Sequence, residues 1–177
     1  MEEDIENLKY PIGRFNAKED YNLIEIEQFI DTIRTLPEEI VRLVEGLSDT
    51  DLALTYRKDS WTIRQVVHHV FDSHMNALLR FKLALTEENP TVKPYNEAAF
   101  AQLIDYNLPL NTTKYAIFGI HQHWVHVIVG MKNEDFDRTF FHPEHQQSIS
   151  LKTALATYDW HCRHHLEHIK IAKSQII

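Results

Sequence analysis

Apolar residues recur at three- and four-residue intervals over four long stretches of this chain, the spacing that gathers them on one face of an α-helix. In the first stretch Leu23, Ile26, Phe29, Ile30, Ile33 and Leu36 are followed, beyond Pro37, by Ile40, Leu43, Val44 and Leu47. This pattern predicts a helix from about residue 19, broken or kinked at the proline, whose ring and missing N–H disrupt a helix interior. Thr62 with Gln65 three residues on reads as a capping box ahead of the second stretch, which ends near Thr86. There Ile63, Val67, Val70, His74, Ala77, Phe81 and Leu85 keep one face, and Val66, Leu79 and Leu83 make another. A helix apolar on two sides belongs inside a bundle.

The third stretch follows Asn111 as N-cap and carries Tyr115, Phe118, His121, Trp124, Val125, Ile128 and Met131. The fourth, capped by Ser148 or Ser150, runs to about Lys173 with Leu151, Leu155, Tyr158, Cys162, Leu166 and Ile169 as its stripe. Residues 1–18 read as an irregular arm turning at Tyr10-Pro-Ile-Gly13, and residues 133–147 as a polar, aromatic-bearing loop. Residues 87–110 hold three prolines and room for one short helix near 97–104; a connection this long in a small domain is usually functional or flexible. With little strand signal, the prediction is an all-α four-helix bundle with long inter-helix connections, a single domain over residues 1–177.

Composition narrows the function. A chain of 177 residues with 44% hydrophobic content suits one core. Its net charge of −8 and lack of a basic run argue against a nucleic-acid partner. No apolar run approaches the roughly 18 residues that span a bilayer, and the acidic start Met-Glu-Glu-Asp is unlike a signal peptide. The one cysteine, Cys162, cannot form an internal disulfide, so a cytoplasmic protein is expected, with Cys162 as a small buried hydrophobe.

The densest chemistry is His161-Cys-Arg-His164-His165-Leu-Glu-His168, four histidines in eight positions. His161 and His165 are four apart and share a helix face, the spacing of a metal-binding pair. On the helical wheel the inward order is His165, His161, His168, His164, with His164 turned toward Trp160. Two imidazoles hold a metal weakly, and a catalytic site takes three protein ligands and keeps one position open. The third donor is expected from His68 or His69 on the second helix, between which the wheel does not choose. His74, His121, His123 and His126 read as packed or solvated residues, His142-Pro143 as a loop turn in preference to a residue reaching the mouth of the site, and Trp61, Trp124 and Trp160 as bundle core in preference to pocket lining.

Trp61-Thr-Ile-Arg-Gln-Val-Val-His-His-Val70, followed by His161-Cys-Arg-His-His165-Leu-Glu-His-Ile169, resembles the DinB superfamily of metal-binding four-helix bundles. Tyr10-Pro-Ile-Gly13, Tyr56-Arg57, Asp72-Ser-His-Met-Asn76, Arg80-Phe-Lys82, Thr86-Glu-Glu88, Pro94-Tyr95 and His142-Pro143 are similar to its YfiT-type metal-dependent hydrolases. The resemblance implies His69 as first ligand, eight positions after the tryptophan, with His161 and His165 as the other two. It also implies one divalent ion per chain, zinc or nickel, a homodimer, and a small-molecule substrate. Some relatives resemble thiol S-transferases that use bacillithiol or a similar low-molecular-weight thiol, and the superfamily name implies no DNA binding.

A divalent ion on three neutral imidazoles would acidify a bound water for hydrolysis, or bind a thiol as thiolate. The chain lacks the His-Glu-x-x-His arrangement with its built-in base. Asp72, three residues after His69, is a candidate to orient an imidazole N–H. A metal- or ligand-binding dimer without catalysis, and histidines with a purely structural role, are the remaining alternatives.

Overall fold

A computed structural model describes residues 2–176; Met1 and Ile177, the two ends of the expected domain, lie outside the described residues. Four long helices dominate: α2 (Leu23–Val44), α4 (Ile63–Thr86), α6 (Leu110–Val129) and α7 (Leu151–Lys173). Around them are α1 (Glu2–Lys9), α3 (Asp49–Leu52), α5 (Glu97–Phe100) and single 3₁₀ turns at Ile104–Asn107 and Asn133–Asp137.

Helix α2 packs on α6 and α7, and α4 packs on the same two. The consecutive helices α2 and α4 therefore stand diagonally across the bundle, and so do α6 and α7. This order brings α4 against α7, the pair that carries the candidate donors, although residues 87–150 separate them in sequence. Ile33, Leu36 and Ile40 of α2, Phe81 of α4, Trp124 and Ile128 of α6, and Leu155 and Ile169 of α7 are almost wholly buried between the helices.

Local chemistry sets the ends. Asn22, Ser48 and Thr62 each cap a helix and close a reciprocal box with the residue three positions on. Ser150, of the two serines considered, caps α7. Helix α6 starts ahead of Asn111: Pro109 precedes it with φ at −57°, already in the helical range, so the turn is under way before the asparagine.

Three further expectations change. The N-terminal arm opens with α1; the turn follows it, with Gly13 N donating to Tyr10 O at 2.8 Å and Gly13 at φ +77°, where a side chain would be strained. Helix α2 is unbroken at Pro37, because the proline is buried against the bundle and packing outweighs its local cost. The polar loop contains a hairpin, β1 (Thr139–His142) with β2 (Gln147–Ser150), registered Thr139 opposite Ser150 and His142 opposite Gln147. Strands of four residues are too short to show a period. Phe141 also exchanges hydrogen bonds with Pro90 and Val92, which fastens the long connection to the hairpin.

Candidate metal centre

His69 projects from α4, and His161 and His165 project from α7, one turn apart. The three offer donor atoms within 4.8 Å of one another, and the Nε2 atoms of His69 and His161 are 3.2 Å apart. Zinc–imidazole bonds of about 2.0–2.1 Å in a tetrahedron set neighbouring nitrogens roughly 3.4 Å apart, so this pair is already near ligating distance. The adjacent His68 goes elsewhere: its Nδ1 meets the Thr113 hydroxyl at 2.8 Å and its Nε2 faces Leu108 O at 3.3 Å. His68 joins α4 to the start of α6, whereas His69 faces α7.

Burial keeps these rings neutral. It pushes His69 down to about 4 and holds His161 and His165 well below the usual histidine range, with neighbouring histidines, His168 among them, adding to the effect. Neutral imidazole is the form that binds a metal. Trp61 covers the His69 ring at 4.6 Å between centroids, and His69 Nδ1 is buried with no hydrogen-bond partner among the described residues. The donor set fits a divalent ion that takes nitrogen ligands, zinc and nickel among them.

Behind the donors lie further histidines. His161 Nδ1 is 3.0 Å from His74 Nε2, His74 Nδ1 is 2.9 Å from His121 Nε2, and His121 Nδ1 is 2.6 Å from the Ile33 carbonyl. His74 and His121 are fully packed, as expected of them, but they pack as a hydrogen-bonded row leading to a candidate ligand. On the other side His165 Nδ1 lies 3.4 Å from His168 Nδ1, and His168 Nε2 lies 3.2 Å from Lys9 O. His164, His165 and His168 also group closely, yet both nitrogens of His168 are engaged with protein atoms. His164 stacks on Trp160 at 4.3 Å, as the wheel places it, but is buried because Tyr10 of the N-terminal segment covers it.

Asp72 is buried, and its carboxylate accepts from Tyr106 Oη at 2.7 Å; none of its hydrogen bonds reaches an imidazole of the group. Burial raises the Asp72 pKa, and the Tyr106 hydroxyl opposes that rise. Only Trp124 of the three tryptophans is core, edge-on to Phe81 and Tyr158. Trp61 is half-buried over His69, and Trp160 donates to Gly13 O at 3.0 Å, fastening the N-terminal turn to α7. Cys162 is buried and burial pushes its thiol up.

His161 also lines a cleft of about 1010 Å³ whose walls include Ser73, Arg80, Tyr95, His142 and Tyr158. The long connection supplies Tyr95 and the hairpin supplies His142, so both segments without helical period build the approach to the donors. His142 is the last residue of β1 and not a turn residue; the strand's alternation turns it inward. Arg80 donates to Tyr158 Oη at 3.3 Å, while Tyr95 Oη and His142 Nδ1 are buried without a partner among the described residues. Arg80, Ser73, Tyr95 and Tyr158 escaped the reading of the sequence as site residues; Arg80, a cation on the apolar-rich α4, was the available signal.

The family model described as the DinB superfamily matches residues 32–169. This chain belongs to the DinB superfamily. Within the DinB superfamily it is 43% identical over 163 residues to a "Putative metal-dependent hydrolase" of Bacillus pumilus, covering 92% of this chain and 93% of that protein. It is 42% identical over 170 residues to a protein of the same description from Bacillus cereus, covering 96% of this chain and 98% of the other. Among solved structures it matches YfiT from Bacillus subtilis, described as "a probable metal-dependent hydrolase with an unusual four-helix bundle topology". That match has a TM-score of 0.92 and 36% identity, over 96% of this chain and 98% of YfiT.

Proposed function

We propose that this protein is a metal-dependent hydrolase of small molecules, with His69, His161 and His165 holding one divalent ion, zinc or nickel, per chain. The observation that carries the reading is the convergence of three neutral imidazoles from two helices, His69 and His165 buried and His161 half-buried where it lines a cleft. Similarity to relatives described as metal-dependent hydrolases supports it. When bound, the ion would supply Lewis acidity and a water acidified toward neutral pH.

The chain's own groups do the rest. Trp61 shields the His69 ring and keeps the donors in a region of low dielectric. Arg80 sits in the cleft with its guanidinium held by Tyr158 and can take an anionic part of a substrate. His142, its pKa lowered by burial and by Arg80, is neutral at pH 7 and can accept a proton. No helix among the described residues is long and apolar enough to cross a membrane. We further propose a cytoplasmic protein, whose lone cysteine is buried and free, and a homodimer, as the resemblance to the family implies.

The test is elemental analysis of untagged protein purified without chelator, beside folded His69→Ala and His161→Ala variants. About one ion per chain in the parent, absent from both variants, is expected. The loaded protein is then assayed on ester and amide panels, and with a low-molecular-weight thiol plus an electrophile. Conjugation without hydrolysis would replace the hydrolase reading by thiol transfer. An ion bound with neither activity would favour a metal- or ligand-binding role, and a parent that binds neither zinc nor nickel would overturn the metal centre.

A further inference from the structure

We propose that two histidine chains, His121–His74–His161 and His168–His165, fix the tautomers of two donor rings by starting from main-chain carbonyls, so that each Nε2 lone pair is preset toward the centre. The proposal concerns the chain's own residues, and its consequence for metal binding rests on the metal-centre reading above.

A carbonyl accepts hydrogen bonds and cannot donate one, and a neutral imidazole carries a single N–H. Those two facts propagate direction. Since His121 Nδ1 lies 2.6 Å from Ile33 O, the His121 proton is on Nδ1 and its Nε2 is bare. That bare nitrogen, 2.9 Å from His74 Nδ1, requires the His74 proton to be on Nδ1. His74 Nε2 is then bare, so His161 Nδ1, 3.0 Å away, must donate to it. The only proton of His161 is now spent, and its Nε2 is a lone pair beside His69.

The second chain runs the same way. His168 Nε2 donates to Lys9 O at 3.2 Å, leaving Nδ1 to accept from His165 Nδ1 at 3.4 Å, and His165 Nε2 is left bare. Neutrality, which the logic requires, follows from the surroundings: His74, His121, His165 and His168 are buried, and the hydrogen-bond partners of all five rings among the described residues are imidazoles and main-chain carbonyls, with no carboxylate to balance a charge.

Both anchoring carbonyls are available for a reason legible in the sequence. In an α-helix the carbonyl of residue 33 would accept from the N–H of residue 37, and residue 37 is a proline inside α2, with no N–H. Lys9 is the last residue of α1, where carbonyls have no intrahelical donor. Because both chains end on carbonyls, they hold protons and do not conduct them. His69 has no such chain; with His161 Nε2 bare, metal-free His69 carries its proton on Nε2, and it alone changes tautomer when an ion binds.

The experiment is long-range ¹H–¹⁵N correlation on uniformly labelled, metal-free protein at pH 7.5. His74, His121, His161 and His165 are expected as Nδ1–H tautomers and His168 as Nε2–H. An Nε2–H signal from His74, His121 or His161 would overturn the first chain, and Nε2–H at His165 the second.

Zinc affinity by chelator competition is the second readout, using His74→Phe and His74→Gln. Glutamine can accept at Oε1 and donate at Nε2, so it keeps the chain's direction; phenylalanine keeps only bulk. His74→Phe is expected to bind zinc roughly 10–100-fold more weakly, with both tautomers populated at His161, and His74→Gln to recover most of the loss. Equal affinities in folded parent, Gln and Phe proteins would reduce His74 to packing. The tautomers are read without metal, so a parent that fails to bind zinc sinks the metal reading while leaving the chain to be decided by its own signals.

Discussion

At the scale of single residues, neighbouring histidines divide the labour, and substitution separates them. His69 faces α7 while His68 is bound to Thr113 and Leu108. His68→Ala is therefore expected to keep the bound ion and to lose about 1–2 kcal/mol of stability, because a buried hydroxyl is left unpaired. His69→Ala is expected to lose the ion; elemental analysis beside urea unfolding distinguishes the two effects. His121 makes a second residue-scale prediction. Its folded pKa of about 4 lies below the value of 6.5 for a free ring, so the unfolded chain binds the extra proton between those values. The stability it contributes is complete above pH 6.5 and is lost as pH falls toward 4. For this one group the loss between pH 7.5 and pH 5.0 is on the order of 2 kcal/mol. Urea unfolding of metal-free protein at those two pH values should show a smaller difference in His121→Phe than in the parent. An equal difference would mean His121 is protonated in the folded state.

At the scale of elements, Pro37 is the instructive case. The expectation of a broken or kinked helix followed from the cost of proline in isolation, but α2 is continuous and uses the missing N–H to leave Ile33 O for His121. Pro37→Ala restores an amide aimed at that carbonyl. The helix should gain stability, while the His121 bond is shared with the new amide and zinc affinity falls several-fold. Thermal unfolding of the metal-free protein and chelator competition read the two effects separately, and a rise in stability with unchanged affinity would show that the carbonyl serves both donors. The four long helices were legible because each carries a 3.6-residue period, with the caps Thr62 and Ser150 marking where two of them start, and the row Leu151, Leu155, Cys162 and Ile169 is buried as the wheel places it. The inward pair His161 and His165 was legible for the same reason. What periodicity does not encode is partnership across the bundle: His74 and His121 looked like ordinary packed residues because their hydrogen bonds join α4, α6, α7 and α2, and Asp72 looked available until Tyr106 proved to be its partner. The hairpin and the cleft-lining Tyr95 lie in short or aperiodic segments, where only long-range contacts fix the structure.

At the scale of the whole molecule, the candidate centre is a clamp between segments distant in sequence. His69 belongs to α4 and the other two donors to α7, and the chains behind them end on α2 and α1. An ion held by the three imidazoles would add a link between helices already joined by packing and by the His74–His161 and Arg80–Tyr158 hydrogen bonds, and it would bind only the assembled bundle, since the unfolded chain does not bring the donors together. Binding to the folded state alone stabilises by mass action, about 2.7 kcal/mol when free ion is a hundred times its dissociation constant. For a domain of this length each kcal/mol moves Tm by roughly 2–4 °C. Zinc at that excess should therefore raise Tm by roughly 5–10 °C over the chelated protein, with the increment growing as the logarithm of zinc concentration. His161→Ala should show no zinc-dependent increment, whatever its own starting Tm. The His74→Phe protein should need proportionally more zinc to reach the same increment, which ties the clamp to the tautomer chain behind it. A zinc-dependent rise that survives in His161→Ala would place the stabilising ion elsewhere on the molecule and remove α4 and α7 as its clamp.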